Sequence, residues 1–494
     1  MTATQTWPDD GRAAAEAVGW SPPGGAYYEG QWQSGSRRLL VRDPEDDTVV
    51  GEVVDATAAD VDRAVRHLSR SFQAIRWPLW QRRAALARAA DLLGERAAQF
   101  IRLISTEGCK TVTEATAEVE RAREVLGLCG QSSTALMGRS LPFEDTPRGT
   151  GWRGWYRRKP VGVVAAITPF NDPLNLVVHK LGPALVAGNT VALKPAPTTP
   201  LTALAFVEVL LESGVPADAL AVLCGFEAGP ALVGHPLVDV VSFTGGTATA
   251  DRIASSGPAR KLLMELGGNN AVIVCADADP VETAESVVDG AFGVAGQNCL
   301  SVQRVLVHRS IYHSTLAEIA RRTESLVVGS KRSPETDVGP MITVAEAERV
   351  AGEVQRAVAV GATLVTGGSR SGPFVTPTVL TDVPRNDPIW TDEIFGPVVV
   401  VSPFDALEEA VAAVNEVDTG LQAGVFTADI DVAMELADLL RVGAVMINST
   451  SDFRIDAMPF GGFKRSGIGR EGVESSILAL SEPKIVAIKT RQSF

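Results

Sequence analysis

Cysteine is scarce in this chain of 494 residues, and its arrangement excludes two kinds of site. The cysteines are few, odd in number and widely spaced, which does not suit a disulfide framework. They contain no CxxC pair of the kind that holds zinc, so we expect no bound metal. A reducing cytoplasm fits this usage best. The cysteines are Cys109, Cys129, Cys224, Cys275 and Cys299.

Positive charge and long apolar runs are also lacking. The formal net charge is −14 and no basic arm or stripe is present, so we expect no nucleic-acid partner. No apolar run reaches membrane-spanning length, and the N-terminal segment lacks the basic and apolar regions of a secretion signal. We therefore expect a soluble, cytoplasmic protein that binds no membrane.

The patterning that is present indicates an α/β protein of two or three domains. Strand-like runs alternate with helical stretches, which is typical of a parallel doubly wound sheet. The first runs lie at 161–167, 191–194, 219–223, 238–243 and 261–265. A second α/β unit follows residue 267, with runs at 271–274, 302–308, 362–365, 398–404 and 444–447. No long flexible linker separates the two units, so we expect them to pack together with the active site between them.

The part before residue 160 has a different pattern. Residues 1 to about 35 are rich in Gly, Pro and Ser and predict a loosely ordered lead-in. A strand pair at 38–41 and 48–54 follows, and Thr57 with Asp60 resembles a helix N-cap. Helical patterns at 58–75, 79–105 and 111–130 predict an outer helical layer.

Three stretches together supply the groups needed for acyl chemistry. Cys299 follows a helical pattern that we expect to loosen at Gly296, Glu265 precedes paired glycines, and Asn171 follows a strand-like run. A thiol nucleophile, a carboxylate base and an amide donor suit a reaction through a thioester. Each also has a plainer interpretation, as a packed cysteine, a solvated strand end and a loop cap.

The ordered motifs TPFN, LKPAP, FTGG, ELGGNN, GQNC, EIFGP and MPFGGFKRSGIGREG resemble the aldehyde dehydrogenase superfamily along nearly the whole chain. They are closest to its lactaldehyde, phosphonoaldehyde and short-chain semialdehyde group. The resemblance implies a Rossmann-type cofactor domain, an α/β catalytic domain and a small β oligomerisation arm. It places the cofactor domain at 1–135 and 157–266, the catalytic domain at 267–447, and the arm with the C-terminal segment at 136–156 and 448–494.

The resemblance also implies the reaction. A small aldehyde would be oxidised to the carboxylic acid by hydride transfer to NAD or NADP, after Cys299 has attacked its carbonyl carbon. Asn171 and the Cys299 backbone N–H would stabilise the oxyanion, and Glu265 would activate the water that hydrolyses the thioester. Glu482 matches a second carboxylate that the family often places in a proton relay.

The cofactor site implied by the resemblance departs from a standard phosphate loop. No GxGxxG follows the first strand, so the turn Thr244-Gly245-Gly246 at the start of a helix would hold the pyrophosphate. Lys194 would contact the adenosine ribose. Pro197 stands where the family often has an NAD-selecting glutamate, which leaves NAD and NADP both open. The remaining cofactor-binding residues would be Thr168, Pro169, Glu265, Leu266, Gly267, Glu393 and Phe395.

Substrate charge follows from the tunnel positions of the family. Those positions hold Arg121, His179 and Arg454, with Asn298 directly before the nucleophile, and three cationic candidates favour an anionic aldehyde. An alternative is that the two arginines form structural salt bridges with Glu118, Asp452 or Asp456.

Two other functions remain open on the sequence alone. One is a CoA-acylating or non-phosphorylating phosphoaldehyde dehydrogenase, although CoA-acylating members commonly lack the counterpart of Glu265. The other is an inactive binding protein of the same fold, which the intact Cys299 and Asn171 argue against. The family also implies a homodimer or homotetramer.

Overall fold

The computed structural model describes residue 20 and residues 22–490. Residues 1–19, 21 and 491–494 lie outside the described residues, and so do most of the predicted lead-in and the last four residues of the predicted C-terminal segment. None of the helices in the described ranges has the length and apolar character needed to cross a bilayer.

The strands are numbered in chain order. Before residue 267 they are β1 (Ala26–Tyr28), β2 (Gln31–Gln33), β3 (Arg38–Arg42), β4 (Val49–Val54), β5 (Arg139–Ser140), β6 (Trp152–Pro160), β7 (Val163–Ile167), β8 (Thr190–Lys194), β9 (Leu220–Val222), β10 (Val240–Thr244) and β11 (Lys261–Glu265). Beyond it they are β12 (Asn270–Val274), β13 (Val302–His308), β14 (Thr363–Thr366), β15 (Arg370–Ser371), β16 (Phe374–Val375), β17 (Thr378–Thr381), β18 (Val398–Phe404), β19 (Thr419–Gly420), β20 (Gln422–Phe426), β21 (Ala444–Ile447), β22 (Phe463–Lys464), β23 (Gly467–Ile468) and β24 (Ser481–Lys489).

The α-helices are numbered in the same way. They are α1 (Ala58–Ala74), α2 (Leu79–Glu95), α3 (Ala97–Glu107), α4 (Val112–Ser132), α5 (Asn175–Ala187), α6 (Leu201–Glu212), α7 (Ala228–Val233), α8 (Thr247–Ser256), α9 (Pro280–Phe292), α10 (Tyr312–Ser325), α11 (Val344–Ala359), α12 (Pro388–Thr391), α13 (Leu407–Asn415), α14 (Ile430–Leu439) and α15 (Val473–Ala479).

The first large sheet has the strand order β2-β1-β9-β8-β7-β10-β11-β23. The five central strands of this sheet are parallel to one another, in the order β9, β8, β7, β10 and β11. The chain order reverses between β7 and β10. The predicted doubly wound sheet is therefore confirmed, and ligands of such sheets bind outside the carboxyl ends of the strands at this reversal. Thr168 and Gly245 stand at those two ends.

Both faces of this sheet are covered, as the continuous apolar strands require. Val164 and Ala166 of β7 lie in a core shared with α2 to α6, whereas Val163 and Ala165 lie in a second core shared with α1 and α7. Successive residues of a strand point to opposite faces, so a parallel strand with helices on both sides buries all of them.

The second large sheet has the order β14-β17-β18-β13-β12-β20-β21. All of its neighbouring pairs are parallel except β14 with β17. The predicted second α/β unit is confirmed, but two of its strands, β17 and β20, were not predicted. β20 contains a glycine and a glutamine and lacks the β-branched run by which the others were found.

The C-terminal segment contacts both the arm and the first sheet. β24 pairs antiparallel with β6, from Ser481 opposite Pro160 to Lys489 opposite Trp152. The short strand β23 joins the first sheet beside β11, with Gly467 opposite Glu265. The residues just after β23 are thereby brought next to a predicted catalytic side chain.

Three local predictions need correction. The end of the predicted lead-in is not loose, because β1 and β2 form a hairpin that extends the first sheet. The predicted helix at 79–105 breaks at Arg96, where φ and ψ leave the helical region. The helix before Cys299 ends at Phe292 instead of loosening at Gly296. The N-cap at Thr57 is confirmed as a full capping box with Asp60.

Candidate active site

The loop that carries Cys299 is fixed by hydrogen bonds to its backbone. Asn270 Nδ2 donates to the carbonyl oxygens of Cys299 (2.8 Å) and Ser301 (3.0 Å). Asn298 Oδ1 accepts from Leu300 N at 3.1 Å and lies 3.7 Å from Cys299 Sγ. The Cys299 side chain is partly buried, and its own backbone N–H donates to no described residue.

The chain enters this loop through an unusual backbone. Val294, Ala295 and Gly296 all have positive φ, at 53°, 53° and 68°. A β-branched residue in this region is strained, so the surroundings must hold it there. Glu114 does so, because its Oε1 accepts from Val294 N at 2.6 Å.

Two Phe-Gly pairs lie between the Cys299 loop and the other two predicted catalytic residues, Glu265 and Asn171. Phe460 packs with Cys299 and Leu300, and a Cβ on the next residue, Gly461, would lie 3.0 Å from both carboxylate oxygens of Glu265. In the second pair, Gly396 is so close to the loop that a Cβ on Gly296 would lie 2.2 Å from its carbonyl oxygen.

The second Phe-Gly pair also reaches the Asn171 loop. The ring of Phe395 meets that of Phe170 edge to face, with centroids 5.9 Å apart. The side chain of Asn171, next to Phe170, is 5% exposed and makes no hydrogen bond to a described residue. An amide donor without a partner is thereby placed close to the Cys299 loop.

The Glu265 carboxyl is buried at the end of β11. Its Oε1 accepts from Glu471 N at 3.1 Å, and its Oε2 has no hydrogen-bond partner. Burial, and then the negative charge of Glu471, raise the pKa of Glu265 well above its usual value. The surroundings of Glu265 therefore favour its protonated form more than water does.

Glu471 and Lys180 complete this buried cluster. Glu471 accepts from Arg454 Nη2 at 2.9 Å and lies 3.8 Å from Lys180 Nζ, which donates to Ser242 Oγ at 3.2 Å. Burial raises the pKa of Glu471, but His179, Arg454 and Lys180 outweigh it and hold that pKa below its usual value. Glu471 is therefore the ionised member of the pair.

Glu482 does not belong to this cluster. Its carboxylate lies on the arm strand β24, 57% exposed, and pairs with Lys261 at 2.5 Å. The predicted relay position is thus corrected, because the carboxylate beside Glu265 is Glu471. Glu471 lies in the GIGREG motif quoted above, and β23 is the element that carries it to Glu265.

The surroundings of Cys299 disfavour its thiolate form. Burial raises the pKa of the Cys299 thiol, and the nearby Glu393 carboxyl raises it further, while Arg454 lowers it. A nucleophilic role for Cys299, as the sequence predicts, would therefore require removal of the thiol proton during attack.

Arg121, His179 and Arg454 converge on one carboxylate, Asp456. Asp456 accepts from Arg121 Nε at 3.2 Å and Nη2 at 2.9 Å, and from His179 Nε2 at 2.8 Å. Burial raises the pKa of Asp456, but these hydrogen bonds hold it well below its usual value. Arg454 Nε lies 3.8 Å from the same carboxylate, and the Arg454 guanidinium stacks 4.0 Å from the Phe460 ring centroid.

The side chains of Arg121, His179 and Arg454 differ in accessibility. His179 is fully buried and 7% of the Arg454 side chain is exposed, whereas 37% of the Arg121 side chain is exposed. Arg121 Nη1 also makes no hydrogen bond to a described residue. Nε of Arg454 has no hydrogen-bond partner either, but the Arg454 side chain is nearly buried. Of the predicted substrate contacts, Arg121 is thus the arginine that offers a free donor on an exposed side chain.

Carboxylates surround Arg121 as well. Asp172 pairs with Lys110, which also pairs with Glu118 at 2.7 Å. Asp452 accepts from Asn298 Nδ2 at 2.8 Å, and burial raises the pKa of Asp452 to about 6. The side chain of Asn298 thereby connects the Cys299 loop to Asp452. The surroundings of Arg121 contain both positively and negatively charged side chains.

The ends of β7, β8 and β10 suit a dinucleotide. The hydroxyls of Thr168 and Thr244 are buried without a partner, and a Cβ on Gly246 would meet nothing within 4 Å. Gly246 precedes α8, whose first amides are free to bind a pyrophosphate. Lys194, at the end of β8, forms no ion pair with a described residue, and burial lowers its pKa.

Other predicted cofactor residues lie around these strand ends. Pro197 lines a cleft of about 620 Å³ together with Thr198, Phe226 and Ile342. Burial raises the pKa of Glu393 to about 7, and its Oε1 accepts from Gly268 N at 3.2 Å. A Cβ on Gly267 would lie 1.8 Å from Glu393 Oε2, so any larger residue at this position would displace the Glu393 carboxyl group. Pro169 and Leu266 directly follow Thr168 and Glu265 in the chain, and Leu266 N donates to Ser466 O at 3.0 Å.

Lys180 and Asp456 are site residues that were not predicted. The sequence contained a feature that could have identified Lys180. His179 and Lys180 are the ionisable residues of α5, a helix whose side chains are all buried. Buried ionisable groups are retained only with partners or a function. Asp456 was named only as a salt-bridge alternative, since nothing local joins it to His179, 277 residues away.

Comparison with known proteins identifies the family. The model of the aldehyde dehydrogenase family matches residues 32–486. A 3-sulfolactaldehyde dehydrogenase of Priestia aryabhattai is 40% identical over 466 residues, which cover 94% of this chain and 98% of that protein. The aspartate-semialdehyde dehydrogenase 1 of Pseudomonas canavaninivorans is 41% identical over 454 residues, covering 91% and 96%.

A solved structure extends the likeness to the fold. The NADP-dependent glyceraldehyde-3-phosphate dehydrogenase of Bacillus halodurans C-125, complexed with NADP, has a TM-score of 0.91 and 33% identity, covering 94% of this chain and 99% of that one. The chain belongs to the aldehyde dehydrogenase family. The predicted α/β fold and the predicted class, an NAD(P)-dependent aldehyde dehydrogenase, are confirmed.

Proposed function

We propose that this enzyme oxidises a small anionic aldehyde to its carboxylic acid through a thioester on Cys299. The observation that carries the proposal is the Glu265 carboxyl, which is buried with one free oxygen and lies across Phe460-Gly461 from Cys299. When bound, NAD or NADP supplies the hydride acceptor. The unpartnered Thr168 and Thr244 hydroxyls, Lys194 and the start of α8 would hold it.

The residues act in a defined order. Cys299 Sγ bonds to the aldehyde carbon as the thiol proton passes to solvent, and the Asn171 amide and the Cys299 backbone N–H donate to the resulting oxyanion. After oxidation to the thioester, Glu265 takes a proton from an attacking water, whose oxygen bonds to the acyl carbon as the carbon–sulfur bond breaks. Binding of the substrate anion falls to Arg121, which retains a free Nη1.

Relatives support the charge of the substrate. Those described above are named for 3-sulfolactaldehyde, aspartate semialdehyde and glyceraldehyde 3-phosphate, each of which bears an anionic group. The cofactor remains NAD or NADP, because Pro197 offers neither a ribose acceptor nor a phosphate repeller.

Trapping the acyl-enzyme tests the mechanism. We expect Cys299→Ala to abolish oxidation while cofactor binding persists, and Glu265→Gln to accumulate an acyl adduct on Cys299, detected by mass spectrometry after one turnover. Product assays with and without coenzyme A should give the free acid at equal rates. Substantial turnover by Cys299→Ala, or an unmodified Glu265→Gln enzyme with blocked hydride transfer, would refute the covalent mechanism.

We also infer that the arm mediates self-association into a homodimer or homotetramer. The strand β24 exposes Ile485 (61%) and Ile488 (46%), and exposed apolar strands favour a partner. Light scattering of the purified protein is expected to give two or four times the mass of the chain, and a monomer would contradict the inference.

A further inference from the structure

The turn that carries Asn171 joins the end of β7 to the start of α5, over residues 168–174. The Asn171 side chain is 5% exposed and makes no hydrogen bond to a described residue, so no polar contact of its own fixes the amide. The position of this amide donor therefore depends on what holds the turn.

Glu118 of α4 holds the end of the turn, where α5 begins. The first residues of a helix leave backbone N–H groups without partners inside the helix. Leu174, at the cap position of α5, provides no side-chain hydrogen bond to them. Glu118 Oε1 accepts instead, from Leu174 N at 2.8 Å and from Asn175 N at 3.0 Å. The Glu118 side chain is fully buried, so water does not compete for these bonds.

Lys110 holds the middle of the same turn. Lys110 Nζ donates to Glu118 Oε2 at 2.7 Å and pairs with Asp172, the residue directly after Asn171. Only 6% of the Lys110 side chain is exposed. The sequence left Glu118 open as a partner of the tunnel arginines, but within the described residues its ion pair is with Lys110. One buried network therefore ties α4 to the residues that follow Asn171.

We propose that Glu118 and Lys110 are positioning residues that hold Asn171 where its amide can donate to the oxyanion. The inference rests on the proposed function, in which Asn171 stabilises the charge of the tetrahedral intermediate. An oxyanion donor acts only if it is already fixed close to the developing charge, and removal of one such donor costs roughly 100- to 1,000-fold in kcat. A displacement of about 1 Å can cost about 100-fold. Glu118 and Lys110 would thus act on the reaction through Asn171.

The variant Glu118→Gln tests the proposal. One oxygen of Glu118 accepts from the two backbone amides and the other from Lys110. A glutamine can satisfy only one of these two sets of donors, because its amide nitrogen has no lone pair for the other set. The substitution therefore loosens the turn on one side while nearly preserving the size of the side chain.

Glu107→Gln is the matched control. Glu107 is also fully buried, and its two oxygens accept from Leu201 N and Thr202 N, both at 2.7 Å, at the start of α6. The same substitution there also leaves one donor without an acceptor. The helix that it loosens does not follow Asn171, so the control reports the general effect of disturbing a buried helix start.

Each substitution is made in the wild type and in Asn171→Ala, and kcat is measured with butanal and cofactor at saturation. A neutral aldehyde is used so that changes of charge near Arg121 do not alter substrate binding. The cofactor bound per chain, measured by equilibrium dialysis, gives the folded fraction, so partial misfolding does not imitate the effect. The comparison of the two backgrounds isolates the part of each effect that passes through Asn171.

We expect Asn171→Ala to lower kcat about 100-fold or more. Glu118→Gln should lower kcat roughly ten-fold in the wild type, but less than about two-fold in Asn171→Ala, because a donor that is absent cannot be misplaced. Glu107→Gln should change kcat by the same factor in both backgrounds. Equal factors for Glu118→Gln in the two backgrounds, or no loss in the wild type, would overturn the proposal.

Two further readings keep the test decisive. If Glu118→Gln does not fold, Asp172→Ala replaces it, because this change removes only the tie between Lys110 and the residue after Asn171; the same two comparisons then apply. A loss of less than about two-fold in Asn171→Ala itself would refute the role of Asn171 in the proposed function. A large loss in Asn171→Ala without coupling to Glu118→Gln would refute the positioning role alone.

Discussion

Replacement of Arg121 by methionine should weaken activity toward anionic aldehydes and spare neutral ones. Methionine keeps much of the side-chain bulk while removing the charge. Arg121 is the tunnel candidate with an unpartnered Nη1 and an appreciable exposed surface, at 37% of its side chain. Its interaction with a substrate anion is therefore lost in the variant without a large rearrangement of the core.

The expected size follows from the surroundings of Arg121. A hydrogen bond to a charged group contributes about 1.5–3 kcal/mol, but Asp456 offsets part of the positive charge and solvent screens a half-exposed side chain. We therefore expect the hydrogen bond from Arg121 to contribute an amount near the low end of that range. A free-energy change of about 1.4 kcal/mol corresponds to a ten-fold change in affinity. We expect kcat/KM for succinic semialdehyde to fall about ten-fold and that for butanal to change less than about two-fold.

Arg454→Met is the informative comparison. Arg454 is buried, donates to Glu471 and stacks on Phe460, so its loss should reduce kcat/KM for both aldehydes in parallel. The assay is initial-rate kinetics with the two four-carbon aldehydes on each enzyme. Equal losses for both aldehydes in Arg121→Met would refute the reasoning and leave Arg121 as a structural salt bridge to Asp456.

Three further changes test other parts of the site. Pro197→Glu should shift preference from NADP toward NAD, because it adds a ribose acceptor and a phosphate repeller; unchanged relative efficiencies would contradict this. Glu471→Gln removes a charge that raises the pKa of Glu265, so the acidic limb of the kcat–pH profile should move to lower pH, and an unmoved limb would exclude that coupling. Gly296→Ala should slow both turnover and alkylation of Cys299 by iodoacetamide, because its Cβ would meet the Gly396 carbonyl oxygen at 2.2 Å. Gly293→Ala, whose Cβ meets nothing within 4 Å, should not, and equal effects would contradict the argument.

Local patterns predicted most of the scaffold. The apolar runs that became β7, β8, β10 and β11 are continuous because a covered parallel sheet buries both faces of each strand. The capping box at Thr57 and the position of Cys299 after a helix are likewise encoded by neighbouring residues. Strands such as β23 are too short to give a pattern, and only their pairing partners define them.

The charge network shows where sequence reasoning stops. Arg121, His179 and Arg454 come from two helices and a loop, and the resemblance to the family implied that they converge. Asp456 was one of three possible salt-bridge partners of the two arginines, but nothing in the sequence linked it to His179. Nor did the sequence indicate that Glu471 instead of Glu482 would neighbour Glu265. These pairings depend on contacts between residues more than 200 positions apart, such as Glu265 with Glu471, which no local spacing encodes.

The pairing of β23 with β11 sets the order in which the site is completed during synthesis of the chain. Cys299 emerges from the ribosome well before Glu471, and at about 5–20 residues per second the interval is on the order of ten to thirty seconds. During this interval Cys299 exists without the segment that holds Glu265 through Glu471 N. On the proposed mechanism, a nascent chain therefore has its nucleophile before its general base is held in place, and it can complete the cycle only after the segment with Glu471 has been made.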